Sequence, residues 1–127
     1  MNKTYLSKRG VATVALLLSF YVGAGDEIKG SKLETDNYIV YVQSNCVEGV
    51  VSCSDMTYVG ISKRTGNKIV LKGSTMHSTD VHGAPGQFQG YEFKNGNITY
   101  LVYASGRLEV IRNRSEILVS EDGKWIW

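Results

Sequence analysis

The chain is short of the residues that crosslink, kink or charge a fold strongly. It has one proline, Pro85, two cysteines, Cys46 and Cys53, and two histidines, His77 and His82. The C-x6-C spacing excludes the C-x-x-C redox pattern and the paired C-x2-C zinc pattern. The sequence has no low-complexity tract, no useful internal repeat and no segment after residue 24 with helical periodicity. Without a predicted helix there is no phosphate loop of the glycine-rich, helix-capping kind. No G-x-S-x-G elbow frames a serine, and the acids are scattered at strand ends and turns rather than paired. These absences argue against an enzyme and call for no cofactor.

Only one apolar run is long enough to suggest targeting. Lys3, Lys8 and Arg9 are followed by Val11–Val22, and Val22-Gly23-Ala24 offers small residues for cleavage. That order reads as a secretory signal peptide over residues 1–24. A spanning helix needs about 20 apolar residues, and this run is shorter and interrupted by Thr13 and Ser19. No cysteine follows it closely enough to carry an amino-terminal lipid. The processed chain is expected to be secreted or periplasmic, without stable membrane insertion.

Cleavage after Ala24 changes the charge. The full chain has 14 basic and 12 acidic residues, a formal charge of +2. Three of the basic residues lie in the signal, so eleven remain against twelve acids, about −1. Nucleic-acid binding needs a clustered positive field, and none survives processing. The densest basic patch, Lys63-Arg64 with Lys68 and Lys72, surrounds a predicted turn and reads as a solvated hairpin tip.

What remains is strand chemistry. Tyr, Val, Ile and Thr dominate the segments after residue 35, punctuated by glycine. Residues 25–35 are polar and read as a flexible lead-in; residues 36–127 read as one β domain. Strands are predicted at 36–43, 56–62, 68–72, 87–94, 97–104, 107–112 and 116–120, and a last turn precedes 124–127. Turns are expected at 63–67, at Asn95-Gly96, at Ser105-Gly106, at 113–115 and at Asp122-Gly123. The expected fold is all-β: a single small antiparallel meander of six to seven strands, closed as a barrel or packed as a sandwich. Export places Cys46 and Cys53 where a disulfide forms, and closing so short a loop stabilises by about 2.5 kcal/mol on the chain-entropy model.

Three features could carry function. The stretch 73–86 reads as the one long connection and holds His77, Asp80 and His82, a candidate partner-contact loop. Imidazoles with a carboxylate can also hold a metal, although H-x2-D-x-H matches no zinc motif. Tyr38, Tyr41, Tyr58, Tyr91, Tyr100 and Tyr103 fall on predicted strands, where they fill a core or form an aromatic binding face. Trp125 and Trp127 share one face of the last strand. Asn97-Ile98-Thr99 and Asn113-Arg114-Ser115 match the glycosylation triplet and read as coincidence.

An exported β domain of this size resembles, in outline only, the small periplasmic inhibitors of c-type lysozyme. The inhibitory loop of that family has a Ser-Gly-x-x-Tyr core. Here Ser105-Gly106-Arg107-Leu108-Glu109 has Glu109 at the tyrosine position, so no site residue is carried over. The leading expectation is a non-enzymatic binding module, of inhibitor or immunity type, acting on a protein partner whose identity the residues do not reveal. The alternatives are a structural envelope component that self-associates through an edge strand and a metal-dependent enzyme built on the His77–His82 loop.

Overall fold

The computed structural model describes residues 28–127, and the expected signal segment lies outside them. Eight antiparallel strands follow one another around a closed barrel: β1 (Ser31–Thr35), β2 (Tyr38–Ser44), β3 (Met56–Ser62), β4 (Lys68–Thr79), β5 (Pro85–Asn95), β6 (Ile98–Tyr103), β7 (Arg107–Arg112) and β8 (Glu116–Ile126). Each strand pairs with its chain neighbours, and β8 returns to pair with β1, Leu33 opposite Trp125. The all-β expectation holds, and the choice between barrel and sandwich is decided as barrel. Among the described residues no helix is long and apolar enough to cross a membrane.

The alternation seen in the sequence becomes inside and outside. Leu33, Val40, Tyr58, Phe93, Val102 and Leu108 are buried in the interior. Lys32, Lys72, Glu92, Lys94, Arg107 and Glu109 take the alternate positions and form the outer wall. Eight strands leave an interior about wide enough for side chains to fill. Tyr58 is its centre, with ring centroids 5.2 Å from Phe93 and 5.3 Å from Tyr100.

The count is eight strands rather than six to seven. The extra strand is β1, in the stretch read as a lead-in. Its only large apolar residue is Leu33, so no periodic signal marks it; pairing on both edges, to β2 and β8, makes the strand. The expected turn at Asp122-Gly123 is also absent, because β8 runs through it unbroken. Gly123 lies opposite Thr35, where a Cβ would sit 2.5 Å from Glu34 O, so this glycine allows close strand approach rather than a turn.

Two other turns show how closely local chemistry was legible. The 63–67 link forms as expected, with Ser62 N–H bonding Asn67 O and Gly66 N–H bonding Ser62 O. The β5–β6 turn is displaced by one residue. Asn95 pairs with Ile98, which leaves Gly96 and Asn97 as the central pair. Only Gly96 has positive φ, 63°, the pattern of a type II′ turn rather than the expected type I′.

The Cys46–Cys53 bridge is present, and no free cysteine remains. Such a bridge fits an oxidising compartment outside the cytoplasm. The loop it closes is tied to the barrel at Cys53, which is buried. Cys53 N–H donates to Thr75 Oγ1 at 2.9 Å, and Thr75 N–H donates back to Cys53 O at 2.8 Å.

The β1–β2 turn is clasped to β8 by Glu121, which accepts from Asn37 Nδ2 at 2.7 Å and from Asn37 N–H at 3.2 Å. Burial pushes the Glu121 carboxyl up, but hydrogen bonds from Asn37 and Thr35 outweigh it and hold the group below 4.5. A depressed carboxyl stabilises the fold above its unfolded value and loses that contribution as pH falls through the lowered one. Urea denaturation between pH 5 and pH 2 is therefore expected to show an acid loss, under about 1 kcal/mol for so exposed a clasp, that is flatter in Glu121→Gln.

Candidate functional site

The barrel has two different ends. One carries the disulfide loop 45–55, the β4–β5 tip 80–84, the β6–β7 turn 104–106 and the end of β8. The other carries the short turns β1–β2, β3–β4, β5–β6 and β7–β8.

At the first end the expected long connection is mostly strand. β4 continues to Thr79 and β5 starts at Pro85, so only residues 80–84 form the tip. The ladder of β3 to β4 ends at Met56–Gly73, and that of β6 to β5 ends at Tyr103–Gly90. Beyond those points β4 and β5 have no further strand partner and project as a two-stranded arm. Register shifts on either side of His77 interrupt its pairing.

The three singled-out residues therefore part company. His77 lies on β4, with Nε2 3.1 Å from Thr75 Oγ1 and its ring edge-on to Phe88 at 5.7 Å. Its Nδ1 is buried and has no partner among the described residues. Asp80 and His82 are in the tip. Asp80 Oδ1 accepts the backbone N–H groups of His82 at 2.8 Å and Ala84 at 2.9 Å, so this carboxylate shapes its own turn. Among the described residues no three His, Cys, Asp or Glu side chains are grouped to hold a metal.

The same end carries a feature that no single spacing announced. From His77 an edge-to-face aromatic row continues through Phe88, Tyr91 and Trp125, with centroid separations of 5.3 and 6.4 Å, and Trp127 stacks on Trp125 at 5.9 Å. Trp125 is fixed by its indole N–H, which donates to Ala104 O at 2.8 Å. Burial raises the Tyr91 hydroxyl and keeps it neutral. The row begins among half-buried rings and ends at Trp127, which is 92% exposed. At the same end Val47 and Val51 of the disulfide loop are 79% and 76% exposed, and Val81 of the tip is 94% exposed. Val50-Val51 inside an otherwise polar loop was the available signal.

The second end is an open mouth. Between β3, β4, β6, β7 and β8 lies a cavity of about 480 Å³ that reaches Leu108 in the core. Tyr58, Tyr100, Val110 and Val119 form its apolar lining; Ser62, Asn67, Lys68 and Arg112 form its rim. Burial, with Tyr100 and Tyr38 adding to it, pushes the Tyr58 hydroxyl well above the ordinary phenol range, so it is neutral. Two rim turns are joined where Asn97 Nδ2 donates to Asn113 Oδ1 at 2.9 Å and Asn113 N–H to Asn97 O at 2.9 Å. The asparagines of both glycosylation triplets thus hold each other.

On the wall between the ends, Arg107 bonds Glu109 and Asp122, each at 2.9 Å, together with Ser120. The hydrogen bonds it donates to these acids raise the guanidinium further. Glu109, at the tyrosine position of the lysozyme-inhibitor motif, is part of this network. Comparison with protein-family models, with curated proteins and with solved structures found no match.

Proposed function

We propose that the protein is a non-enzymatic binding module, exported from the cytoplasm, which docks onto another exported protein through the disulfide-loop end of the barrel. The observation that carries this reading is the segregation of exposed apolar side chains. Val47, Val50, Val51, Val81, Phe88 and Trp127 all lie at that end. Val70, Ile117 and Leu118 are the exposed large apolar residues toward the other. Contiguous exposed apolar surface rimmed by polar groups is the usual mark of a protein contact, and aromatic anchors supply most of its energy.

The presentation is economical in ordering entropy. The valines sit on a loop stapled by Cys46–Cys53, and Phe88 sits on a paired strand with its ring against Tyr91. Side chains held before docking cost less to immobilise during it. Self-association through an edge strand would have to use the projecting arm or the side of β8 at 116–122 that faces away from β7, because β1 pairs β8 only over 123–126.

Site-directed photocrosslinking tests the proposal. A benzophenone side chain placed at Val81 is expected to give a saturable adduct with a different exported protein, and one placed at Asn97 is expected to give none. Phe88→Ala combined with Trp127→Ala is expected to weaken formation of that adduct about thirtyfold, the loss of two anchors. Equal labelling from both ends, an adduct only with a second copy of the chain, or indifference to the double substitution would sink the reading. Amino-terminal sequencing of the exported protein checks its premise, with a start at or near Gly25 expected.

A further inference from the structure

We propose that the open mouth opposite the disulfide loop is a ligand site for a small amphiphilic anion, a molecule with one apolar body and one carboxylate head. The site is at the far end from the docking surface and does not depend on it. The volume of about 480 Å³ falls within the ~300–1,000 Å³ typical of small-molecule pockets, for which barrel mouths are a recurrent location.

The apolar body follows from what is missing inside. An eight-stranded barrel has room for side chains to fill it completely. The half of the interior around Leu33, Phe93, Val102 and Leu108 is filled and fully buried. The other half is not. At Gly60 an inward position carries no side chain, and the Tyr58 ring lies across it, where a Cβ would stand 2.6 Å from Tyr58 Oη. The space beyond is walled by Tyr100, Ile69, Val110 and Val119 and opens to the rim. Apolar walls facing a gap forfeit dispersion contacts that a fitted apolar group restores. Tyr58 brings its hydroxyl, beside the Gly60 position, into this lining.

The anionic head follows from the rim. The two charged residues at the cavity are both cations: Arg112 is in phase with inward Leu108 and Val110 on β7, while Lys68, opposite Ile61 and in phase with Val70 and Lys72, stands at the outer side of the rim. Lys68 makes no ion pair among the described residues. Arg112 is paired only with Glu116, at 3.8 Å with both side chains about half exposed. Pairs of that kind contribute little and are readily exchanged. A guanidinium released from such a contact binds a carboxylate in two-pronged fashion, while an alkylammonium head meets only like charge.

The test uses three ten-carbon probes below their micelle concentrations: decanoate, decanol and decylammonium. Each is titrated into the intact protein and followed by calorimetry and by amide NMR shifts. Decanoate is expected to bind with one-to-one stoichiometry, at least about tenfold tighter than decanol and more so than decylammonium. The shifted amides are expected at Gly60, Ile69, Tyr100 and Val119. Lys68→Gln with Arg112→Gln, one at an exposed and one at a half-buried position, is expected to abolish the preference for decanoate over decanol and leave decanol binding unchanged. Val119→Trp, which fills the mouth, is expected to remove binding of all three. No binding of decanoate, equal binding of the three probes, or shifts confined to Trp125 and Trp127 would overturn the proposal.

Discussion

Phe93→Ala is expected to cost about 3–5 kcal/mol of stability, enough to leave a domain of this size near its unfolding threshold. Phe93 has no exposed surface and packs at a tilt against Tyr58, and its strand is paired on both sides with β4 and β6. The loss has two parts, the transfer free energy of the ring and the cavity left behind. That cavity cannot close by collapse, because the surrounding wall is a hydrogen-bonded barrel whose circumference is set by eight paired strands. Its neighbours can only tilt. The melting temperature is expected to fall by roughly 15 °C or more, since each kcal/mol shifts a domain of about 100 residues by roughly 4–8 °C. Phe93→Leu is expected to recover more than half of the loss. A melting temperature within a few degrees of wild type for Phe93→Ala would mean that the interior is already loosely packed, contrary to the buried set around Leu33 and Leu108.

Gly73→Ala is expected to be of the same order, about 3 kcal/mol or more, for the opposite reason. Gly73 is extended, so the effect is steric rather than conformational. An added Cβ would overlap Glu92 O and lie 2.8 Å from Phe93 Cα, both backbone atoms of the paired strand β5, and it would also stand 2.5 Å from Cδ1 of the Phe93 ring. Gly60→Ala provides the control. There the Cβ meets only the Tyr58 ring, within 2.6–2.9 Å. Shrinking the ring should relieve the second substitution more than the first. Gly60→Ala with Tyr58→Leu is expected to be less destabilised than the sum of its parts, whereas Gly73→Ala with Phe93→Leu is expected to show weaker coupling, because the overlap with Glu92 O remains. Urea denaturation of the two cycles measures the difference. Coupling of equal size in both would place the Gly73 clash on the side chain instead of the backbone.

These two glycines also show where reading by pattern stops. In the sequence Gly60 lies inside the strand expected at 56–62, and Gly73 opens the stretch read as the long connection 73–86. In the barrel each is an inward position that makes room for an aromatic ring two residues away or on the next strand. Glycine marks either positive φ or close approach, and the sequence does not say which. Gly123 illustrates the same ambiguity, since Asp-Gly is a strong turn signal and here lies inside an unbroken strand opposite β1. The same limit applies to the candidate sites. His77, Asp80 and His82 were grouped because they are close in the chain and the intervening residues look like a loop. The arm places His77 on a strand against Phe88 and leaves the other two at the tip. The apolar end and the open mouth were not legible, because each gathers residues from strands that are distant in sequence.

The sequence by itself determined the strand class, the two faces of most strands, the stapled loop and the absence of catalytic spacing. Each of these is local: period-two alternation, a turn residue, or a pair of cysteines seven positions apart. Tertiary structure alone decided that β1 exists, that β8 closes on it, and that one end of the barrel is filled while the other stays open. Those outcomes depend on pairing residues some ninety positions apart, Leu33 with Trp125. No local propensity encodes such a pairing; it forms because closure pairs β1 with β8 over 123–126 and buries Leu33 together with the rest of the core.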